Sequence, residues 1–278
     1  GRAGLAERPG GLRAHDWATP FGAARLLEGE AEGLDLILVQ SPLYDRAGGP
    51  YTGPDRRDWP DNHLRFGLLS WLGAGVAAWG LDGWRADAVH AHDWQAGLVP
   101  TYLRLIGPEA PRAVITIHNV AFQGMFGPEL LGDLALPSAM FTPDHVEFHG
   151  RISFLKAGLA HAERITTVSP TYARELLTPE FGWGLDGLLR HRAGDLEGIL
   201  NGIDTAVWDP ATDPALAANY DRPRLKAPNR AAVCARFGIE PAPGAPLFCV
   251  VSRMTRQKGL DLLLEALPAL LEEGAALA

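Results

Sequence analysis

A run of buried-strand character, Leu247-Phe248-Cys249-Val250-Val251, breaks into the basic turn Ser252-Arg253-Met254-Thr255-Arg256-Gln257-Lys258-Gly259, and a helix follows at once. Leu260, Leu263, Leu264, Leu267, Leu270 and Leu271 recur at the i, i+3, i+4, i+7 spacing of an amphipathic helix. Strand, cationic turn and helix make one half of an α/β unit, and ligands of such sheets bind outside the carboxyl ends of the strands. Phosphate suits that position, because Arg253 offers a planar fork of donors and Lys258 a compact charge on a long stem. Lys156, Lys226 and Lys258 are the only lysines among 25 basic residues, which singles out a lysine in this turn. The competing reading is a solvated basic turn at a sheet edge.

The same grammar recurs upstream. Leu34–Gln40 reads as a strand, Asn62–Trp79 as a helix, Asp87–His90 as a strand, Gln95–Ile106 as a helix kinked near Pro100, and Ala113–Ile117 as a strand. Ile152–Ala162 reads as a helix and Ile165–Val168 as a strand, with Ser169-Pro170 capping the next helix. The first 33 residues give no firm element, and residues 120–150 read as mostly irregular. Strands alternating with helices imply a parallel sheet covered on both faces. Residues 209–246 hold seven prolines and one helix near Asn229–Phe237, the composition of a connection between domains. We therefore expect an N-terminal Rossmann-like domain over 1–204, a connection over 205–245, and the first strand, turn and helix of a second domain over 246–278. Gly1 stands where an initiator methionine would, and Ala278 falls just past a helix, so a piece of a longer chain is expected.

Composition narrows the function. A net charge of −8 without blocks of like charge speaks against nucleic acid or an anionic membrane as partner. Two cysteines, Cys234 and Cys249, with Cys249 placed inside an apolar strand, argue against a disulfide framework. No apolar run approaches the roughly 20 residues of a membrane span, and the layout of a signal peptide is missing at the start. A cytoplasmic protein is expected.

Four polar clusters follow expected strands: His90-Ala91-His92-Asp93-Trp94, His118-Asn119, Asn201-Gly202-Ile203-Asp204 and the turn around Arg253. Parallel strands would bring such ends to one edge. His90 and His92 alternate on one side of their strand, so one reading is a zinc hydrolase with His90, His92, Asp93 and His118 as ligands. A second is sugar binding, because imidazole and amide groups suit hydroxyls. A Gly-x-Ser-x-Gly elbow and a Walker loop are missing, as is an Asp-x-Asp pair to hold a divalent metal.

Taken together, these segments resemble the bacterial glycogen synthases and plant starch synthases. The resemblance rests on Leu43-Tyr44-Asp45-Arg46, Asp61-Asn62 with Leu64-Arg65-Phe66, Val89–Trp94, Thr116–Asn119 with Phe122-Gln123-Gly124, Phe154–Gly158, Thr167–Ala173, Leu200–Asp204, and Ser252-Arg253 through Gln257–Asp261. It implies the two-domain GT-B glycosyltransferase fold, with two doubly wound parallel sheets and the second domain largely missing here. It also implies transfer of glucose from ADP-glucose to the non-reducing 4-hydroxyl of an α-1,4-glucan, with retention and without metal or other cofactor. Carried over, Arg253 and Lys258 resemble the catalytic pair that binds the diphosphate and stabilises the leaving group, and His118 resembles a third catalytic residue, one that meets the donor glucose, with Asn119 beside it. Asp93 and Trp94 resemble contacts on the sugar side and Asn201 a hinge residue near the sugar. The family's Lys-x-Gly-Gly-Leu loop is not matched, since Gly10-Gly11-Leu12 follows Arg8-Pro9. Beside this transferase stand the zinc hydrolase and a non-catalytic glucan-binding module.

Overall fold

In a computed structural model, residues 12–31 and 33–278 are described; Gly10-Gly11 lies outside them. The chain divides into two compact units, one running to Asn201 and one from Gly202 to Ala278.

The first unit opens with an antiparallel meander of β1 (Arg13–Thr19), β2 (Gly22–Ala31) and β3 (Leu34–Gln40). This corrects two expectations, because within the first 33 residues Arg13–Thr19 and Gly22–Ala31 do form strands, and Leu34–Gln40 joins an antiparallel sheet. The reason is local: Thr19 pairs with Gly22 across a two-residue turn, and Gly22 and Gly33 both take positive φ, as short hairpin loops require. Only Ala24 and Leu26 of the hairpin are buried, packed against Leu68, Leu72 and Val76 of α1 (Asn62–Trp79). A one-sided strand with so few apolar residues resembles a loop in sequence.

Between β3 and α1, the motif residues knit a loop onto the start of the helix. Arg46 grips the Asp61 carboxylate with both terminal nitrogens, at 3.0 and 2.6 Å. The buried Arg65 donates to the carbonyls of Leu43 and Pro50 and to Asn62 Oδ1.

The parallel sheet comes next. It is built from β4 (Ala88–His92), β5 (Arg112–Ile117), β9 (Arg164–Thr167) and β10 (Leu196–Gly198), in the order β10-β9-β5-β4. Between β4 and β5 lies α2 (Val99–Ile106), in which Pro100 stands in the first turn; the chain starts a helix there and does not kink one, since proline lacks only a donor that is unpaired at that position anyway. Residues 120–150 hold short 3₁₀ turns together with β6 (Met125–Phe126) and β7 (Glu147–Phe148), which flank β8 (Arg151–Ser153). Hence Ile152 belongs to a strand, and α3 (Phe154–His161) begins two residues later, capped by the Ser153 hydroxyl. Next, α4 (Pro170–Glu175) is capped by Ser169 as its sequence predicts, and α5 (Asp186–His191) precedes β10.

Gly97 and Gly158 let α3 sit against the chain that enters α2. A Cβ on Gly97 would strike the Phe154 carbonyl, and one on Gly158 the side chain of Ile115 and the Gly97 carbonyl. Gly97→Ala should therefore cost about 2–3 kcal/mol through overpacking. Gly132, which has helical φ and open space around it, should gain about 0.4–1 kcal/mol on the same change. Urea unfolding midpoints of the two variants check the contrast.

The second unit carries α6 (Ala227–Phe237), then β11 (Leu247–Phe248), α7 (Leu260–Glu272) and β12 (Ala276–Leu277), with β11 and β12 paired in parallel. The expected strand over 247–251 is shorter, because β12 offers it only two paired residues; Cys249 lies past its end and is exposed. Both cysteines are free thiols.

Candidate active site

Parallel order brings the C-terminal ends of β4, β5 and β10 to one edge, so His92-Asp93, His118-Asn119 and Asn201 share it. Asp93 follows β4 with φ of 53° and ψ of −166°, a strained backbone outside the left-handed helical well and one that side chains rarely adopt. That turn aims its carboxylate back along the sheet. Oδ1 accepts the backbone N–H of His118 at 2.7 Å and that of Asn119 at 3.4 Å, and the Asp93 N–H donates to the Thr116 carbonyl. One side chain thus fixes the loop that leaves β5.

The imidazoles form a row. His90 and His92 lie with ring centroids 4.2 Å apart, and His92 and His118 at 5.3 Å. His92 Nδ1 and His118 Nε2 share a hydrogen bond of 3.0 Å, while His90 Nε2 shares one of 2.6 Å with Thr116 Oγ1. Thr116 Oγ1 bonds in turn to Thr166 Oγ1 at 2.6 Å. Partial withdrawal from water, then the neighbouring His90 and His118 rings, hold His92 below the ordinary histidine pKa. Its neutral ring can both donate and accept, which is what a hydroxyl-rich ligand needs.

This corrects the zinc arrangement. His90 is committed to Thr116, His92 and His118 to each other, and Asp93 Oδ1 to backbone amides. Among the described residues, the ligand atoms of three or more His, Cys, Asp or Glu side chains gather only around His15, Glu28 and Asp82, outside this edge.

Trp94 is half-buried. It meets Phe66 edge-on at 4.6 Å, and a Cβ on Gly124 would strike its ring. Tyr51, 44% exposed, stands 6.3 Å from it. The indole therefore braces the loop that carries Phe122-Gln123-Gly124. Sequence reasoning did not single out Thr116, Thr166 or Tyr172. Tyr172 accepts the Val120 N–H at 3.1 Å, and burial raises its pKa. The available signal was register: His92 pairs with Thr116 and Thr116 with Thr166 across three strands.

Asp93→Ala should cost about 2–3 kcal/mol, since two amides lose a charged acceptor. Asp93→Asn keeps an oxygen there to accept from the amides, so it should retain most of that stability. Denaturant unfolding, with hydrogen exchange at the Asn119 amide, distinguishes the two.

In the second unit Arg253 and Lys258 are both exposed, and Lys258 closes a 3₁₀ turn, its N–H donating to the Thr255 carbonyl at 3.0 Å. Gly259 follows with φ of 68°, and the 13-residue α7 starts without a side-chain cap. Two cations therefore precede a helix N-terminus whose dipole favours negative charge.

Residues 5–191 match the family model described as the starch synthase catalytic domain. The glycogen synthase of Roseobacter denitrificans is 59% identical over 260 residues, covering 92% of this chain and 54% of that protein. One from Rhodopseudomonas palustris is 55% identical over 260 residues with the same coverage. Among solved structures, the catalytic domain of starch synthase IV from Arabidopsis thaliana bound to ADP and acarbose matches with a TM-score of 0.78 and 29% identity, covering 96% of this chain and 56% of that one. The chain thus spans about half the length of the relatives it matches.

Proposed function

The chain belongs to the starch synthase catalytic-domain family, of GT-B fold, and from that premise we propose that it forms the acceptor-side half and the first donor-side turn of a glucosyltransferase. The reaction moves glucose from ADP-glucose to the non-reducing 4-hydroxyl of an α-1,4-glucan, with retention. The bond from C1 to the diphosphate oxygen breaks, a bond from C1 to the acceptor oxygen forms, and the acceptor hydroxyl proton leaves with the products.

One observation carries this reading: Asp93, His118 and Asn119 are locked together at the carboxyl edge of a parallel sheet, beside a row of hydrogen-bonded imidazoles. Such an edge offers many fixed donors and acceptors, suited to a sugar. His118 and Asn119 are assigned to the donor glucose, Asp93 and Trp94 to the sugar side, and Asn201 to the hinge. Arg253 and Lys258 take the diphosphate, supplying fixed positive charge where negative charge develops. The starch synthase IV relative was solved with ADP, which favours ADP-glucose as donor. In this assignment residues 205–245 connect the domains, and residues 246–278 open the nucleotide-sugar domain.

No described helix is long and apolar enough to cross a membrane. With two free thiols, we place the enzyme in the cytoplasm.

The test supplies ADP-glucose and glycogen to this chain extended to the length of its relatives and measures released ADP together with glucan elongation. Elongation coupled to ADP supports the transferase. Glycogen retention without ADP release would make the chain a binding module and overturn it.

A further inference from the structure

The antiparallel meander holds a second cluster of ligating side chains. Register sets Arg13 opposite Glu28 and His15 opposite Leu26, so His15 and Glu28 are diagonal neighbours on one face of the β1–β2 ribbon. Asp82, at φ of 47° in the turn between α1 and β4, reaches the same place. His15 Nε2 lies 3.4 Å from Glu28 Oε2, and His15 Nδ1 3.6 Å from Asp82 Oδ1. One ligand atom from each of the three residues falls within 4.8 Å of the others.

Two features set this apart from a surface ion pair. First, His15 Nε2 and Glu28 Oε2 are shut off from solvent, yet neither has a hydrogen-bond partner among the described residues. Leaving such atoms unsatisfied is costly, and a shared cation would satisfy both. Second, with bonds of about 2.0–2.1 Å, two ligands on one tetrahedral zinc stand about 3.4 Å apart, the separation of His15 Nε2 from Glu28 Oε2. Arg13 takes the other carboxylate oxygens, Nη2 to Glu28 Oε1 at 2.7 Å and Nη1 to Asp82 Oδ2 at 3.2 Å. It thereby turns one oxygen of each acid toward the imidazole. Its own side chain is 63% exposed, so water screens its charge.

We propose that His15, Glu28 and Asp82 bind a divalent transition cation, Zn²⁺ in the first instance, with water completing the shell. One imidazole with two carboxylates is a borderline donor set that suits zinc better than calcium or magnesium. The ion clips the β1–β2 hairpin to the turn before β4. It is separate from the polar edge and shares no residue with it.

The test dialyses the chain against EDTA, titrates ZnCl₂ in competition with a chromophoric chelator, and records the visible spectrum with Co²⁺. The expected result is about one equivalent of Zn²⁺, tetrahedral Co²⁺ bands and a raised thermal midpoint. His15→Ala and Asp82→Asn should each weaken binding by roughly tenfold or more, with circular dichroism confirming that both variants fold. His92→Ala should keep the equivalent. Three results overturn the proposal: no stoichiometric binding by the unaltered chain, an equivalent that survives both substitutions, or an equivalent lost with His92. The Co²⁺ spectrum of the unaltered chain reads the site even if a variant misfolds.

Discussion

Lys258→Ala should lower kcat/KM for glucosyl transfer by about 10²–10³-fold in the chain extended to full length, the usual loss when one fixed group facing developing charge is removed. The expectation follows from what the turn offers. Lys258 is exposed at the end of a 3₁₀ turn, Gly259 beside it takes the left-handed φ that a side chain would strain, and α7 begins without a side-chain cap. An anion placed there meets an ammonium, a helix dipole and, five residues upstream, the Arg253 guanidinium. Arg253→Lys keeps the charge and loses the fork, so it should fall between the unaltered protein and Arg253→Ala. Because both cations act on one leaving group, the double alanine variant should lose less than the product of the single losses. Both side chains are exposed, so neither change should move folding stability by more than about 0.5 kcal/mol. Steady-state kinetics with ADP-glucose measures the effect, and turnover within about threefold of the unaltered enzyme would remove both residues from the reaction.

Where the sequence was most legible, local chemistry and burial agreed. Helix Asn62–Trp79 has the bounds its periodicity predicts, Ser169 caps α4 with its hydroxyl on the Thr171 and Tyr172 amides, and His90 and His92 stack on one side of β4. The hairpin at the start was illegible for a physical reason. Its strands bury two residues between them and place Arg13, His15, Asp16, Arg25 and Glu28 among the rest, so no apolar alternation stands out. Pro100 misled because proline signals a kink inside a helix and a start in its first turn, and only the break at Gly97 tells which applies. The polar edge was legible as a set of residue types. The hydroxyl ladder through Thr116 and Thr166 depends on strand register, which a one-dimensional reading does not supply.

Acid should destabilise the first unit through one histidine that the transfer reaction does not use. His161, at the end of α3, shares a hydrogen bond of 2.9 Å between Nδ1 and Thr101 Oγ1 and one of 3.0 Å between Nε2 and His145 Nδ1. Burial, then the His145 ring and the cations Arg104, Lys156 and Arg192, push its pKa down to about 3. Lys156 is itself buried, with its ammonium on the Pro143 and His145 carbonyls, so a second positive charge would have little room to be solvated. The folded state therefore keeps His161 neutral, while the unfolded chain takes up a proton as pH falls through about 6.5. More protons bound in the unfolded state mean stability that falls with pH, by up to about 1.4 kcal/mol per pH unit from 6.5 down to the folded pKa. From 6.5 to about 3 the gap sums to roughly 5 kcal/mol at the acid end, and about half of it is lost by pH 4.5, before most carboxylates titrate. His161→Gln keeps hydrogen-bonding atoms for Thr101 and His145 and cannot take the proton, so its stability should be nearly flat where the unaltered protein slopes. Urea unfolding between pH 4.5 and 8 reads both slopes. Equal slopes would mean that water reaches His161 in the folded chain and that the buried pair with His145 carries no acid sensitivity.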